Sequence, residues 1–202
     1  MFTRRESFSE YIRFYPIVTT FLALNIFIFL LTVLPVVGIQ ILNAGVGVNY
    51  LVTDGEWWRL ITPMFLHGGI MHILFNMFVL FVFGPELEKI MGKMRFVTMF
   101  MLSGIIANIA TYILQEPYYT HLGASGAIFG IFGAYGALVY YTKKSMPELR
   151  QIIIPIIAIS VIMTFVQPNI NVTAHLTGLI TGFIIGLSYF NPKRITRWRA
   201  TR

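Results

Sequence analysis

The chain has 202 residues, of which 56% are hydrophobic and only 11% are charged, and its mean hydropathy is +0.74. A soluble domain carries about 25% charged residues to cover its surface. This composition therefore excludes an ordinary soluble fold and predicts a membrane protein. Because the chain has no cysteine, disulfides, thiolate metal sites and a cysteine nucleophile are excluded as well.

Six segments approach the roughly 20 apolar residues that a membrane-spanning helix needs. They are predicted at about 16–37, 67–84, 95–114, 124–141, 150–167 and 172–190. The first is too long for a signal peptide and is interpreted as a retained span. The second and fourth are short and rich in glycine or histidine, as expected of helices that line a polar cavity. The predicted fold is an all-α bundle of six transmembrane helices over 16–190, between polar tails at 1–15 and 191–202.

The basic residues are distributed unevenly over the connections between these spans. Fourteen of the 15 lie on alternate connections or in the tails: Arg4, Arg5, Arg13, Lys89, Lys93, Arg95, Lys143, Lys144, Arg150, Lys193, Arg194, Arg197, Arg199 and Arg202. Only Arg59 lies on the other side. The positive-inside rule then predicts that both termini are cytoplasmic. Topology and contact with anionic membrane lipids account for the net charge of +7, and no nucleic-acid partner is expected.

Polar residues within predicted spans are costly and are candidates for function. They are His67, His72 and Asn76 in the second span, Asn108 in the third, Ser125 in the fourth and His175 in the sixth. Because the second, fourth and sixth spans run in the same direction, their polar residues are expected to meet near the outer ends of the helices. His121 precedes the fourth span and fits this convergence less well.

These residue types suit acyl-transfer chemistry. Ser125 needs a base to become a nucleophile, and the neutral imidazole of His175 can serve as one. An oxyanion intermediate needs preorganised donors, which Asn76 and His72 on one helical face and the helix N-terminus at Ser125 can supply. The only aspartate, Asp54, lies in the outer loop. The sequence therefore favours a Ser-His dyad over a triad.

At these residues the sequence resembles the rhomboid family of intramembrane serine proteases. The matching motifs run in chain order from Trp58-Arg59 through His67-x4-His72-x3-Asn76, Gly84 with Glu88 and Gly92, and Gly123-x-Ser125-Gly126 to Ala174-His175-x-x-Gly178-x-x-x-Gly182. The resemblance implies that Ser125 is the nucleophile and His175 the general base. It also implies that His72, Asn76 and the backbone N–H of Ser125 form the oxyanion hole.

By the same resemblance, the substrates are transmembrane proteins that are cut near the outer leaflet, in a bacterial plasma membrane, without a cofactor. Gly123, Gly126, Phe129 and Gly178 are expected to support the site. Phe129 stands where many relatives carry tyrosine, and a phenyl ring can still pack against an imidazole but has no hydroxyl. The resemblance does not fix an oligomeric state.

A structural interpretation exists for each of these residues. Small residues at four-residue spacing favour close helix contact, and Gly126, Gly130 and Ala134 would pack on the column Gly178, Gly182 and Gly186. The functional interpretation is that this contact brings Ser125 and His175 within hydrogen-bond reach. His67 is expected to tie the outer loop to the second span, and Asn108 to form an interhelical hydrogen bond.

Three other functions remain as alternatives. A rhomboid-like protein with little or no catalysis could bind or retain membrane clients, although the intact Ser125 and His175 argue against this. A transporter lacks support because no acidic residue lies within a span to couple an ion. A metal site is not expected, since His67 and His72 are five residues apart with no carboxylate nearby.

The distribution of basic residues gives a direct test of topology. Reporter fusions after about residues 90, 145 and 195 should report the cytoplasm, and fusions near 50, 118 and 169 should report the outer side. A cytoplasmic signal from the fusion at 118 would contradict the predicted convergence, because Ser125 would then lie at the opposite face of the membrane from His175 and Asn76.

Overall fold

The computed structural model describes residues 2 and 4–191, and the five cations predicted for the C-terminal tail lie outside the described residues. The helices of the described part are α1 (Phe8–Phe14), α2 (Pro16–Thr32), α3 (Val37–Gly45), α4 (Asn49–Thr53), α5 (Ile70–Met91), α6 (Lys93–Leu114), α7 (Ser125–Thr142), α8 (Pro147–Val166) and α9 (Val172–Tyr189). Two-residue strands β1 (Gly47–Val48) and β2 (Thr120–His121) pair antiparallel, and 3-10 turns lie at Trp57–Leu60 and Thr62–Phe65.

Each of the six predicted spans corresponds to one helix. Four of them, α5, α6, α8 and α9, are long and apolar enough to cross a membrane. The pair α1 and α2 would add a fifth if the two helices, which are bent by 110° at their junction, count as one span. The central α7 is not in this set, and most of its residues are buried by the surrounding helices. A helix that contacts protein rather than lipid can carry the glycines and tyrosines that lower its hydropathy.

Two predicted spans had wrong boundaries. The first helix ends at Thr32 rather than near residue 37, because Pro35 disfavours helical backbone before it and Val36 has a φ of 66°. The second span was predicted at 67–84 as a short helix, but α5 has 22 residues. It begins after His67 and continues through Pro85, so His67 is a loop residue and not a member of the span.

The closest helix contact joins α7 and α9, as the columns of small residues predicted. A Cβ on Gly178 would overlap the carbonyl oxygen of Gly126, and a Cβ on Gly182 would overlap that of Gly130. A Cβ on Gly186 would lie 3.1 Å from the Cα of Ala134. The contacting residues follow the same order along both helices, so the two helices are parallel and begin at the same end of the bundle. That end is called the site end below.

At the opposite end, the N-terminal segment packs against the proline in α5. Pro85 has no N–H, so the carbonyl of Phe81 lacks its helical partner, and the hydroxyl of Tyr11 donates to that oxygen at 3.2 Å. The hydroxyl of Tyr135 on α7 donates to the carbonyl of Phe83 at 2.8 Å. Side chains from α1 and α7 thus hold the irregular part of α5 in place.

A buried carboxylate connects the same part of α5 to α2. Glu88 is 2% exposed and accepts hydrogen bonds from the backbone N–H groups of Ile17 and Val18 at 3.1 and 2.9 Å. These are orphan donors in the first turn of α2, where a negative charge also meets the favourable end of the helix dipole. Glu88 therefore fixes the start of α2 against α5.

The contact between α7 and α9 predicts that an added methyl group at Gly182 lowers stability more than truncation of an exposed side chain on the same helix. Gly182→Ala should lower the free energy of unfolding by about 1–3 kcal/mol, because the new Cβ overlaps the backbone of Gly130. The matched control is Ile180→Ala on the same helix, whose side chain is 59% exposed in the described structure. Thermal unfolding in detergent would measure both. A larger loss for Ile180→Ala would contradict the close contact.

Candidate active site

The turn before α7 positions Ser125 at the first residue of that helix. Gly123 has a φ of 124°, a conformation that favours glycine, and its N–H donates to the carbonyl of Pro63 at 2.8 Å. A Cβ on Gly123 would lie 2.6 Å from Nε2 of His72. Glycine is therefore required twice here, for its backbone conformation and for the approach to the imidazole. The result is that Ser125 is half-buried beside a helix N-terminus.

The start of α9 positions His175 by a cap. The side-chain oxygen of Asn171 accepts from the N–H of Ala174 at 2.9 Å, and its amide donates to the hydroxyl of Thr111 on α6 at 2.9 Å. The cap thus fixes the first turn of α9 and joins it to α6. His175 lies in this turn and is 8% exposed.

The ring of His175 is held on two sides. Phe129, one turn along α7 from Ser125, stacks on it with ring centroids 4.1 Å apart and planes 20° apart. The predicted packing of a phenyl ring on the imidazole is therefore present. On its edge, Nδ1 lies 2.9 Å from the hydroxyl oxygen of Thr164 on α8.

The helix α5 forms a third side of the site, beside α7 and α9. Asn76 is 6% exposed, and its amide donates one hydrogen bond to the carbonyl of His72 at 2.9 Å, within its own helix. An amide has two N–H donors, so one remains for a ligand. The ring of His72 packs edge-on against that of His67, with centroids 5.1 Å apart. This contact joins the outer loop to α5, as predicted for His67.

One cavity connects these groups. It has a volume of about 810 Å³, and its lining includes Ser125, His175, His72 and Asn76. The rest of the lining is mostly apolar and comes from α5, α7, α8 and the connections before α7 and α9. The convergence predicted from three separate spans is therefore present in space.

The predicted hydrogen bond between Ser125 and His175 is not formed. Among the hydrogen bonds of the described residues, none joins their side chains, and His175 bonds instead to Thr164. The small-residue contact brings the two helix starts to one cavity, while the orientation of the imidazole is set by Phe129 and Thr164. Catalytic hydrogen bonds in ligand-free enzymes are often long and tighten when substrate binds.

His121 fits the convergence predicted for the span residues less well, yet it lines the same cavity. His121 pairs with Gly47 in the two-stranded sheet, and this pairing brings it to the cavity. The ring lies so close to Gly47 that a Cβ there would overlap it. Burial lowers the pKa of His121 to about 4. Burial and the neighbouring His72 lower the pKa of His67 to about 3. Both rings are therefore neutral near pH 7.

The outer loop before α5 is anchored by Arg59, which is 4% exposed. Its guanidinium donates to Glu56 at 2.6 Å and to the carbonyls of Val46 and Asn43 at 2.6 and 2.8 Å. Asn108 on α6 donates to the carbonyl of Leu60 at 3.0 Å. The prediction of an interhelical bond for Asn108 was wrong, because its amide ties α6 to this loop rather than to another span.

Thr164 is the residue at the site that sequence reasoning missed. Its signal was weak, because a threonine in an apolar span usually donates to its own helix, as Thr164 does to Ser160. For metals, no group of three or more His, Cys, Asp or Glu side chains in residues 2 and 4–191 is arranged to bind an ion. The polar groups that line the cavity are hydroxyls, imidazoles and amides.

The family model for the Rhomboid domain matches residues 54–192. The chain is 46% identical over 187 residues to the "Putative rhomboid protease YdcA" of Bacillus subtilis (strain 168), covering 92% of this chain and 94% of that protein.

Two other relatives share only part of their length with this chain. It is 39% identical to "Rhomboid protease GluP" of Bacillus subtilis (strain 168), over 74% of this chain and 29% of that protein. It is 32% identical to "RHOMBOID-like protein 5" of Arabidopsis thaliana, over 72% of this chain and 50% of that protein. The chain thus spans half or less of these two relatives.

Proposed function

Because this chain belongs to the rhomboid family, we propose that it is an intramembrane serine endopeptidase in which Ser125 and His175 act as a catalytic dyad. The observation that carries the proposal is the shared cavity. Within it a serine at a helix N-terminus meets a buried histidine from a parallel helix. The amide of Asn76 and the ring of His72 face the same space.

The chemistry follows from the roles these groups can take. Ser125 Oγ attacks the carbonyl carbon of the scissile peptide bond, and Nε2 of His175 accepts the hydroxyl proton. The carbonyl oxygen becomes an oxyanion, which the N–H of Ser125, the amide of Asn76 and the ring of His72 stabilise. The C–N bond then breaks, and His175 gives its proton to the leaving amine. Water hydrolyses the resulting acyl-enzyme by the same steps and restores Ser125.

The cavity suits a segment of a transmembrane protein as substrate. Its apolar lining includes Met71 and Phe75 of α5 and Ile159 and Met163 of α8. An unwound stretch of chain can contact this lining while its peptide bond reaches Ser125. A helical segment cannot, because its own hydrogen bonds and side chains shield the bond. By family resemblance, a small residue is expected before the cut.

The charge distribution supports a site that opens to the extracytoplasmic side of a bacterial plasma membrane. Lys89 lies in the last turn of α5, Lys93 begins α6, and Lys143 and Lys144 follow α7, all at the helix ends away from Ser125. Basic connections favour the cytoplasm. Water would then enter the cavity from the outer face.

Substitution of the two proposed catalytic residues tests the dyad. Ser125→Ala and His175→Ala should each abolish cleavage of a model transmembrane substrate by purified protein, and the double variant should be no worse than either single one. A fluorophosphonate probe should label the wild type and not Ser125→Ala. Equal cleavage by Ser125→Ala with intact folding would contradict the proposal, whereas no cleavage by the folded wild type would favour a protein that only binds membrane clients.

Asn76→Ala separates the oxyanion hole from the dyad. Loss of one such donor costs about 10²–10³ in turnover in a soluble serine protease, and the remaining donors could make the cost smaller here. Turnover per folded molecule should fall with substrate binding nearly unchanged and some fluorophosphonate labelling retained. Unchanged specific activity with a clearly lower melting temperature would show that Asn76 only supports the helix.

A further inference from the structure

We infer that Thr164 is a positioning residue that selects the tautomer of His175: its hydroxyl oxygen accepts the Nδ1–H and leaves Nε2 unprotonated to act as the base. This inference deepens the proposed function and rests on it for the role of Nε2. The assignment of the proton to Nδ1 rests on the hydrogen bonds alone.

The location of Thr164 is the first reason. The helix α8 is the most peripheral of the candidate spans, with only 17% of its span buried. Its buried residues in the described structure are Leu149, Ile153 and Thr164. The two apolar ones lie near its start, and Thr164 lies near its end, where the cavity is. Thr164 is 2% exposed. The one buried hydroxyl of α8 therefore lies next to His175.

The direction of the hydrogen bonds is the second reason. A threonine hydroxyl has one hydrogen to donate and two lone pairs to accept. The hydroxyl of Thr164 donates to the carbonyl of Ser160 at 2.9 Å, and a carbonyl can only accept. With its hydrogen directed at that carbonyl, the hydroxyl accepts in its contact with Nδ1 of His175, also at 2.9 Å. Nδ1 therefore carries the hydrogen, and in the neutral ring Nε2 carries the free lone pair.

The arrangement supplies one of the two things that an acidic residue supplies in a triad. There the acid holds the imidazole in the tautomer that can accept the serine proton and stabilises the imidazolium that forms. Asp54 is the only aspartate of the chain and lies just after α4. A neutral hydroxyl can hold the tautomer but supplies no charge. In a buried site this also avoids the cost of an unpaired carboxylate.

Phe129 makes the role of Thr164 more specific. The stacked phenyl ring restricts the plane of the imidazole and has no hydrogen-bonding group of its own. Stacking leaves the two flipped orientations of the imidazole nearly equivalent in shape. The hydrogen bond to Thr164 distinguishes them, because only one orientation directs Nδ1 at that hydroxyl.

Nitrogen NMR of the imidazoles tests the tautomer without any cleavage. In ¹⁵N-histidine-labelled protein near neutral pH, the resonances lost in His175→Ala identify the ring. We expect a protonated Nδ1 and an unprotonated Nε2 in the wild type, and a mixture of tautomers in Thr164→Val, which replaces the hydroxyl by a methyl group. A wild-type ring protonated at Nε2 would overturn the inference, whether or not the protein cleaves substrate.

Kinetics test the consequence. Thr164→Val should lower kcat about tenfold with KM little changed, as expected for loss of one neutral hydrogen bond that orients the base. Thr164→Ser should restore most of the activity because it keeps the hydroxyl. The matched control is Thr142→Val, which removes a hydroxyl with the same bond to its own helix, at Leu138, far from the cavity.

The outcomes separate this inference from the proposed function. Unchanged kcat per folded molecule in Thr164→Val, or an equal loss in Thr164→Ser and Thr164→Val, would overturn the role of Thr164 while leaving the dyad intact. Cleavage that persists in Ser125→Ala would overturn the dyad, and the NMR result would still decide where the proton of His175 resides.

Discussion

The backbone contact between α7 and α9 is the constraint on which the site depends. Gly126 and Gly130 on one helix face Gly178 and Gly182 on the other so closely that a single methyl group would overlap a carbonyl oxygen. Apolar side chains cannot drive this association in lipid, where the tails are as apolar as leucine, so close packing of small residues must. Its register places the first turns of both helices side by side, and those turns carry Ser125 and His175.

The rest of the fold fixes α5 relative to this pair. Pro85 leaves a carbonyl without its helical partner, and in a membrane an unsatisfied polar group costs several kcal/mol. Tyr11 donates to that carbonyl, Tyr135 donates to the nearby carbonyl of Phe83, and Glu88 caps α2. The part of α5 around its proline thus becomes the place where three other helices attach. At the site end, the attached helix presents Asn76 and His72 to the cavity.

Two buried histidines near the site, His121 in the cavity lining and His67 against His72, carry no charge near pH 7, because burial lowers the pKa of each. The other polar groups of the cavity include hydroxyls and an amide. Burying a charge without a partner is far more costly than burying a hydrogen-bonded neutral group. A dyad oriented by a threonine is consistent with that constraint.

The sequence by itself determined the membrane class, the six helical segments, the small-residue contact and the residues that converge, because hydropathy, glycine spacing and the direction of alternate spans are local or periodic properties. Four or five of the six segments also satisfy length and composition as spans. Only the tertiary structure decided that His67 lies in a loop, that Asn108 bonds to Leu60 and that His121 lines the cavity. It alone revealed Thr164 beside His175. These contacts join different segments of the chain. The partner of a polar residue cannot be predicted from the sequence, because packing decides which segments meet.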